Sequence, residues 1–189
     1  MTFFTSNENY GKKIENLIID GKPALYPVFN ERQIRAGAGI MFLIGISTMF
    51  IVSFTRDYTL LYIVVPTFFI DFLIKVVNGT KYSLIAFIAG LCVRGQRPEF
   101  VGAIQKRFAW SIGLFMSFLM IFLVLILGIH SYNIPKLICG TCLIFMWMES
   151  SLGICVGCHM YFKLIQIGII KKPEIFPACP GGACPISKK

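Results

Sequence analysis

The sequence predicts an all-α membrane protein: four transmembrane helices, a short interfacial or re-entrant helix between the second and third, and a Cys-rich C-terminal tail. Three observations predict it. Of 189 residues, 56% are hydrophobic and only 14% charged, with a mean hydropathy of +0.74, more apolar surface than one soluble core of this size hides. The apolar residues fall into runs long enough to cross a hydrocarbon layer of about 30 Å. Most cations stand between those runs, so the formal charge of +9 reads as membrane topology. No basic cluster is interleaved with an aromatic platform, which excludes nucleic acid as the partner and leaves the lipid bilayer.

Residues 1–29 are polar, with Leu17-Ile18-Ile19 and Ala24-Leu25-Tyr26 separated by the turn signal Asp20-Gly21-Lys22-Pro23. This pattern predicts a small hairpin on the membrane surface. The first 36 residues lack the charged start, short apolar core and small-residue cleavage site of a removable signal peptide. Asn30 followed by Gln33 has the form of a helix cap with its capping-box partner.

The first span then runs from about Gly37 to Phe54, and Gly37, Ala38, Gly39, Gly45 and Ser47 invite close approach of a neighbouring helix. The second, from about Tyr58 to Val77, contains Pro66, which predicts a kink, and Asp71. A carboxylate in lipid is costly, so Asp71 either acts chemically or pairs with a nearby cation, and Lys75 lies one turn away. The apolar stretch from Thr80 to Cys92 is too short to span. Pro98-Glu99 predicts the start of the third span, which extends to about Ile129. The fourth follows Pro135 as one apolar run to Lys163. Residues 30–170 thus form a membrane domain and 171–189 a tail rich in Cys, Pro and Gly. With the N-terminus inside, every one of the 18 lysines and arginines except Arg56 and Lys136 lies on the inner side. That bias predicts a cytoplasmic (inner) membrane protein with both termini cytoplasmic.

The chemistry sits in the cysteines. Four of the seven form two C-x-x-C pairs in the last run, Cys139/Cys142 and Cys155/Cys158. On one continuous helix the pairs would stand about 24 Å apart; only a break, for which Ser150, Ser151 and Gly153 are the candidates, brings them together. In the tail, Pro180-Gly181-Gly182 folds Cys179 toward Cys184, and the intervening chain is long enough for this pair to reach Cys155/Cys158. Four thiols assembled in this way suit a dithiol relay, or alternatively a zinc-type metal site formed by Cys155, Cys158, Cys179 and Cys184 with His159. The sequence requires no cofactor. Cys155-x-x-Cys158-His159 matches the covalent haem pattern, but haem is attached outside the membrane while the charge bias puts this motif inside. Glu149, in mid-span, is either a proton acceptor for the thiols or a structural hydrogen-bond partner. Cys139/Cys142 and Cys92 read as small packing residues.

Asn30 to Arg35, Arg107-Phe108-Ala109 with Gly113, and above all Gly153-x-Cys155-x-Gly157-Cys158-x-x-Tyr161 resemble a family of small bacterial integral membrane proteins of unknown function, sometimes found beside or fused to rhodanese or thioredoxin domains. The resemblance spans about Asn30 to Tyr161 and implies a thioredoxin-like or rhodanese-like protein as partner. The second C-x-x-C and the tail depart from the family pattern, so no role is carried over to them.

The residues and the resemblance together predict thiol-based redox or sulfur transfer through Cys155/Cys158, with Cys179/Cys184 as a mobile second dithiol and Glu149 or His159 moving protons. A metal-binding or sensing module and a purely structural membrane subunit are the alternatives.

Overall fold

The computed structural model describes residues 10–14, 17–19, 22–23, 26–128 and 133–170. Three of its helices are long and apolar enough to cross a membrane, and a fourth span is present if one sharply bent helix pair counts as a single crossing.

Helix α1, Glu31–Thr55, begins where predicted, with the Asn30 side chain accepting from the Arg32 N–H at 3.2 Å. The capping box does not close. Gln33 instead donates to the Ala86 carbonyl at 2.8 Å and ties α1 to the short helix α3, Leu84–Cys92. The small residues of α1 serve as predicted: Gly37 lies against Ala89, and a Cβ on Gly45 would stand 2.7 Å from Leu143. Helix α2, Thr59–Asn78, takes Pro66 inside it. Asp71 and Lys75, both buried, pair at 2.6 Å. Ser83 donates to Asp71 at 2.6 Å while capping α3 through the Ala86 N–H at 3.0 Å. Asp71 is therefore tied to its nearest cation and to the cap of the next helix.

Two short antiparallel ladders are present among the described residues. β1, Ile18–Ile19, pairs with β2, Lys22–Pro23, so the second strand is formed by residues of the predicted turn; Asp20, Gly21, Ala24 and Leu25 fall outside the described residues. The other ladder departs from expectation. Pro98-Glu99 does not start a helix: β4, Phe100–Gly102, pairs with β3, Val28–Asn30, and α4 starts only at Ala103. The entries to α1 and α4 lie side by side at one end of the bundle, where each satisfies the other's backbone hydrogen bonds. Tyr10 plugs this end. Its hydroxyl donates to the Lys75 carbonyl, the Arg107 guanidinium stands 4.6 Å from its ring centroid, and Phe29 meets it edge-on. Burial holds its phenol above the usual range.

Helix α4, Ala103–Ile121, continues as a π turn over Phe122–Ile126. Lys75, Lys106 and Arg107 are all buried, so three cations that the sequence assigns to the inner surface are interior groups. The last run is likewise not one rod. Helix α5, Asn133–Trp147, passes into a π turn, Met148–Leu152; Gly153 then takes the left-handed conformation, φ 70°, and α6, Val156–Gln166, leaves at 98°. The break falls where Ser150, Ser151 and Gly153 predict it. Glycine is needed there because a side chain at that φ is strained.

Candidate thiol site

Every residue of the Gly153-to-Tyr161 motif has a local task. Gly153 makes the left-handed turn beneath Arg35, whose guanidinium a Cβ would meet at 3.1 Å. Arg35 also donates to the Ser150 carbonyl at 3.4 Å and so pins the π turn to α1. Cys155 is the N-cap of α6, its backbone extended, and its carbonyl accepts from the His159 N–H at 3.1 Å. Gly157 lets α6 lie directly on α4, since a Cβ there would sit 2.6 Å from both Cα and Cβ of Ala109. Cys158 occupies the first turn and is 0% exposed, with Cys155 at 3%. Tyr161, buried, packs its ring 5.5 Å from that of Phe108.

Cys155 and Cys158 both stand at the positive end of α6, where unpaired N–H groups favour an anion. Beneath them lies an ion cluster drawn from three elements. The Lys106 ammonium, 1% exposed, reaches Glu31 Oε2 at 3.0 Å and Glu149 Oε1 at 2.8 Å. A helix N-terminus at Cys155, with a carboxylate and its paired cation on the same side, is an arrangement that favours a thiolate there. Cys155 and Glu149 line one cavity, together with Gly157 and Cys142, so the two thiols are not equivalent. Cys155 lines the cavity and Cys158 does not.

Of the residues singled out from sequence, Cys155, Cys158 and Glu149 converge here. His159 does not join the thiols. It is exposed, and its Nδ1 contacts the Cys155 carbonyl at 3.1 Å. Cys179 and Cys184 lie outside the described residues. Among the described residues no group of three His, Cys, Asp or Glu side chains is arranged to hold a metal ion, so the zinc alternative depends on the tail. Cys139 and Cys142 are half-buried along α5 and Cys92 is exposed. Sequence reasoning missed Glu31, Arg35 and Lys106. The available signal was an ionisable residue in or next to an apolar helix, which for Lys106 was absorbed by the topology argument and for Glu31 by its place in a first helical turn.

The fold and site define a helical membrane protein with a cysteine pair at the start of its last helix and a Glu31–Lys106–Glu149 ion cluster whose lysine is buried. A family model described as a domain of unknown function, DUF4395, matches residues 29–166, and the chain belongs to that family. No match is found among curated proteins or among solved structures.

Proposed function

We propose that the protein is a thiol-redox or sulfur-transfer component of the cytoplasmic membrane, with Cys155 as nucleophile and Cys158 as resolving thiol. The observation that carries this reading is the position of the pair: two buried cysteines at a helix N-terminus, with Glu149 on the cavity that Cys155 lines and Lys106 bonded to Glu149. Glu149 takes the Cys155 proton, which keeps the net charge of the cluster constant as the thiolate forms. The thiolate attacks one sulfur of a disulfide, or the outer sulfur of a persulfide, on a thioredoxin-like or rhodanese-like partner. In the first case a mixed disulfide forms and the partner's other sulfur becomes its thiolate while the partner stays attached; in the second Cys155 becomes the persulfide and the partner leaves as its thiolate. The Cys158 thiolate then displaces the group bound to Cys155, closing the Cys155–Cys158 disulfide and releasing a second thiol or hydrosulfide.

With both thiols buried, exchange with a protein requires α6 to swing about Gly153, the left-handed joint behind it. The tail pair Cys179/Cys184 is the second dithiol of this scheme. It lies on the cytoplasmic side in the orientation that the charge bias favours.

Replacing Cys158 with Ser tests the assignment, because a mixed disulfide at Cys155 then persists. The expected result is a reductant-sensitive adduct of C158S, to the tail or to a partner, that is absent in C155S. Equal adduct formation by both variants, or by neither, contradicts the proposed roles.

A further inference from the structure

The β3–β4 ladder closes one end of the bundle. At the other, where α1 ends at Thr55 and α5 begins at Asn133, lies a cavity that the thiol site does not use. It takes in about 640 Å³ with its open side and encloses about 100 Å³ once open space is left out. Roughly 10–15 Å³ of such space holds one water, so the enclosed part has room for a phosphate-sized group. Val52, Leu61 and Val124 give it apolar walls, and two cations from separate loops, Arg56 and Lys136, line it as well. Both are exposed, and neither side chain has an ion pair or hydrogen bond among the described residues. Asp57, the acid next to Arg56, is engaged elsewhere. It accepts from the Thr59 N–H at 2.9 Å and from the Thr59 hydroxyl at 2.6 Å, and it does not line the cavity. Two unpaired cations on one cavity repel each other, a cost that an anion reaching both removes.

Arg56 carries a second sign. Its φ of 58° is the only left-handed value at a residue other than glycine among the described residues. It closes α1, its N–H donating to the Val52 carbonyl at 3.1 Å, in the position where helices commonly end on glycine. Glycine makes this turn without strain. Arginine stands there at a cost to the fold, and a side chain kept at a strained position points to a task of its own.

We infer that Arg56 and Lys136 bind a phosphate group at this mouth, carried by an acidic phospholipid or free in solution. The guanidinium takes two of its oxygens as a fork, and the ammonium takes a third as a point charge. The apolar walls favour the lipid, whose glycerol and first methylenes displace water along Val52 and Leu61. The inference is independent of the thiol reading, since no step proposed for Cys155 and Cys158 uses this end of the bundle.

The full chain, stripped of lipid in a neutral detergent, is offered phosphatidylglycerol together with phosphatidylcholine, whose choline offsets the phosphate charge. Bound lipid is counted by native mass spectrometry, and inorganic phosphate is tested separately by its effect on the melting temperature. Wild type should hold phosphatidylglycerol about ten-fold or more over phosphatidylcholine, at about five-fold for each cation. Protection by inorganic phosphate as well assigns the site to the free anion, and a lipid preference without it to a headgroup. In Arg56→Gly/Lys136→Gln the preference should vanish, while Arg56→Gly alone melts no lower than wild type because the turn is relieved. Arg56→Lys/Lys136→Arg keeps both charges and should keep the preference, which separates loss of charge from loss of fold. Lys12→Gln/Lys163→Gln removes two exposed cations away from this cavity and should change nothing. Equal retention of the two lipids by wild type, with no protection by phosphate, overturns the inference. So does an undiminished preference in Arg56→Gly/Lys136→Gln, or one that Lys12→Gln/Lys163→Gln abolishes.

Discussion

Replacing Lys106 with Met probes the ion cluster with little change in side-chain length. The ammonium lies 2.8 Å from Glu149 and 3.0 Å from Glu31, and at an effective dielectric of about 20 each contact is worth roughly 6 kcal/mol of attraction. The cost of desolvating three ions offsets most of that sum. Removing the cation alone leaves buried Glu31 beside half-buried Glu149 without their partner, and breaking a buried pair such as Lys106–Glu31 in this way costs about 3–5 kcal/mol. For a chain of this size that corresponds to a melting point lower by roughly 10 °C. The assay is thermal unfolding in detergent followed by tryptophan fluorescence, to which Trp110, buried at this end of the bundle, is well placed to report. Neutralising the carboxylates as well, in Glu31→Gln/Lys106→Met/Glu149→Gln, should restore most of the loss while leaving the thiols unreactive. A single variant as stable as wild type, or a triple variant no better than the single, refutes the account of the cluster.

Other substitutions test neighbouring links. Gly157→Ala drives a methyl to within 2.6 Å of Ala109 and should cost about 1–3 kcal/mol by overpacking; it should also speed iodoacetamide labelling of Cys158 as α6 lifts from α4. Gly153→Ala places a side chain at φ 70° and should destabilise by about 1–2 kcal/mol, visible as a lower melting point with the Cys155 mass and thiol count unchanged. Glu149→Gln removes the proton acceptor and should slow Cys155 alkylation by roughly 100-fold, with a smaller effect on melting than Lys106→Met. Tyr10→Phe deletes the bond to the Lys75 carbonyl and should cost about 1 kcal/mol by the same thermal assay.

The apolar runs, their turn signals and the Asn30 cap were legible because each is a local pattern, and α1, α2 and α3 follow them closely. The Asp71–Lys75 pair was legible for the same reason, one helical turn separating its members. Gly153 and its serines announced a break but not its 98° angle, which is set by α6 settling on α4 at Gly157 and Ala109. The β3–β4 ladder gave no signal, since it joins three-residue segments 70 positions apart. The thiol site was half legible. Cysteine spacing pointed to Cys155 and Cys158, yet the groups that set their chemistry arrive from elsewhere: Lys106 is 75 residues from Glu31 and 43 from Glu149. Burial turned two apparently ordinary charges, one near a helix start and one in a basic loop, into the centre of the site.

The most direct test is to map the redox state of all seven cysteines by mass spectrometry after mild oxidation of the protein in membranes and again after re-reduction. The account predicts that Cys155 and Cys158 change state together and reversibly, and lose that behaviour when Lys106 is replaced. Thiols at these two positions that stay reduced while others oxidise would contradict it.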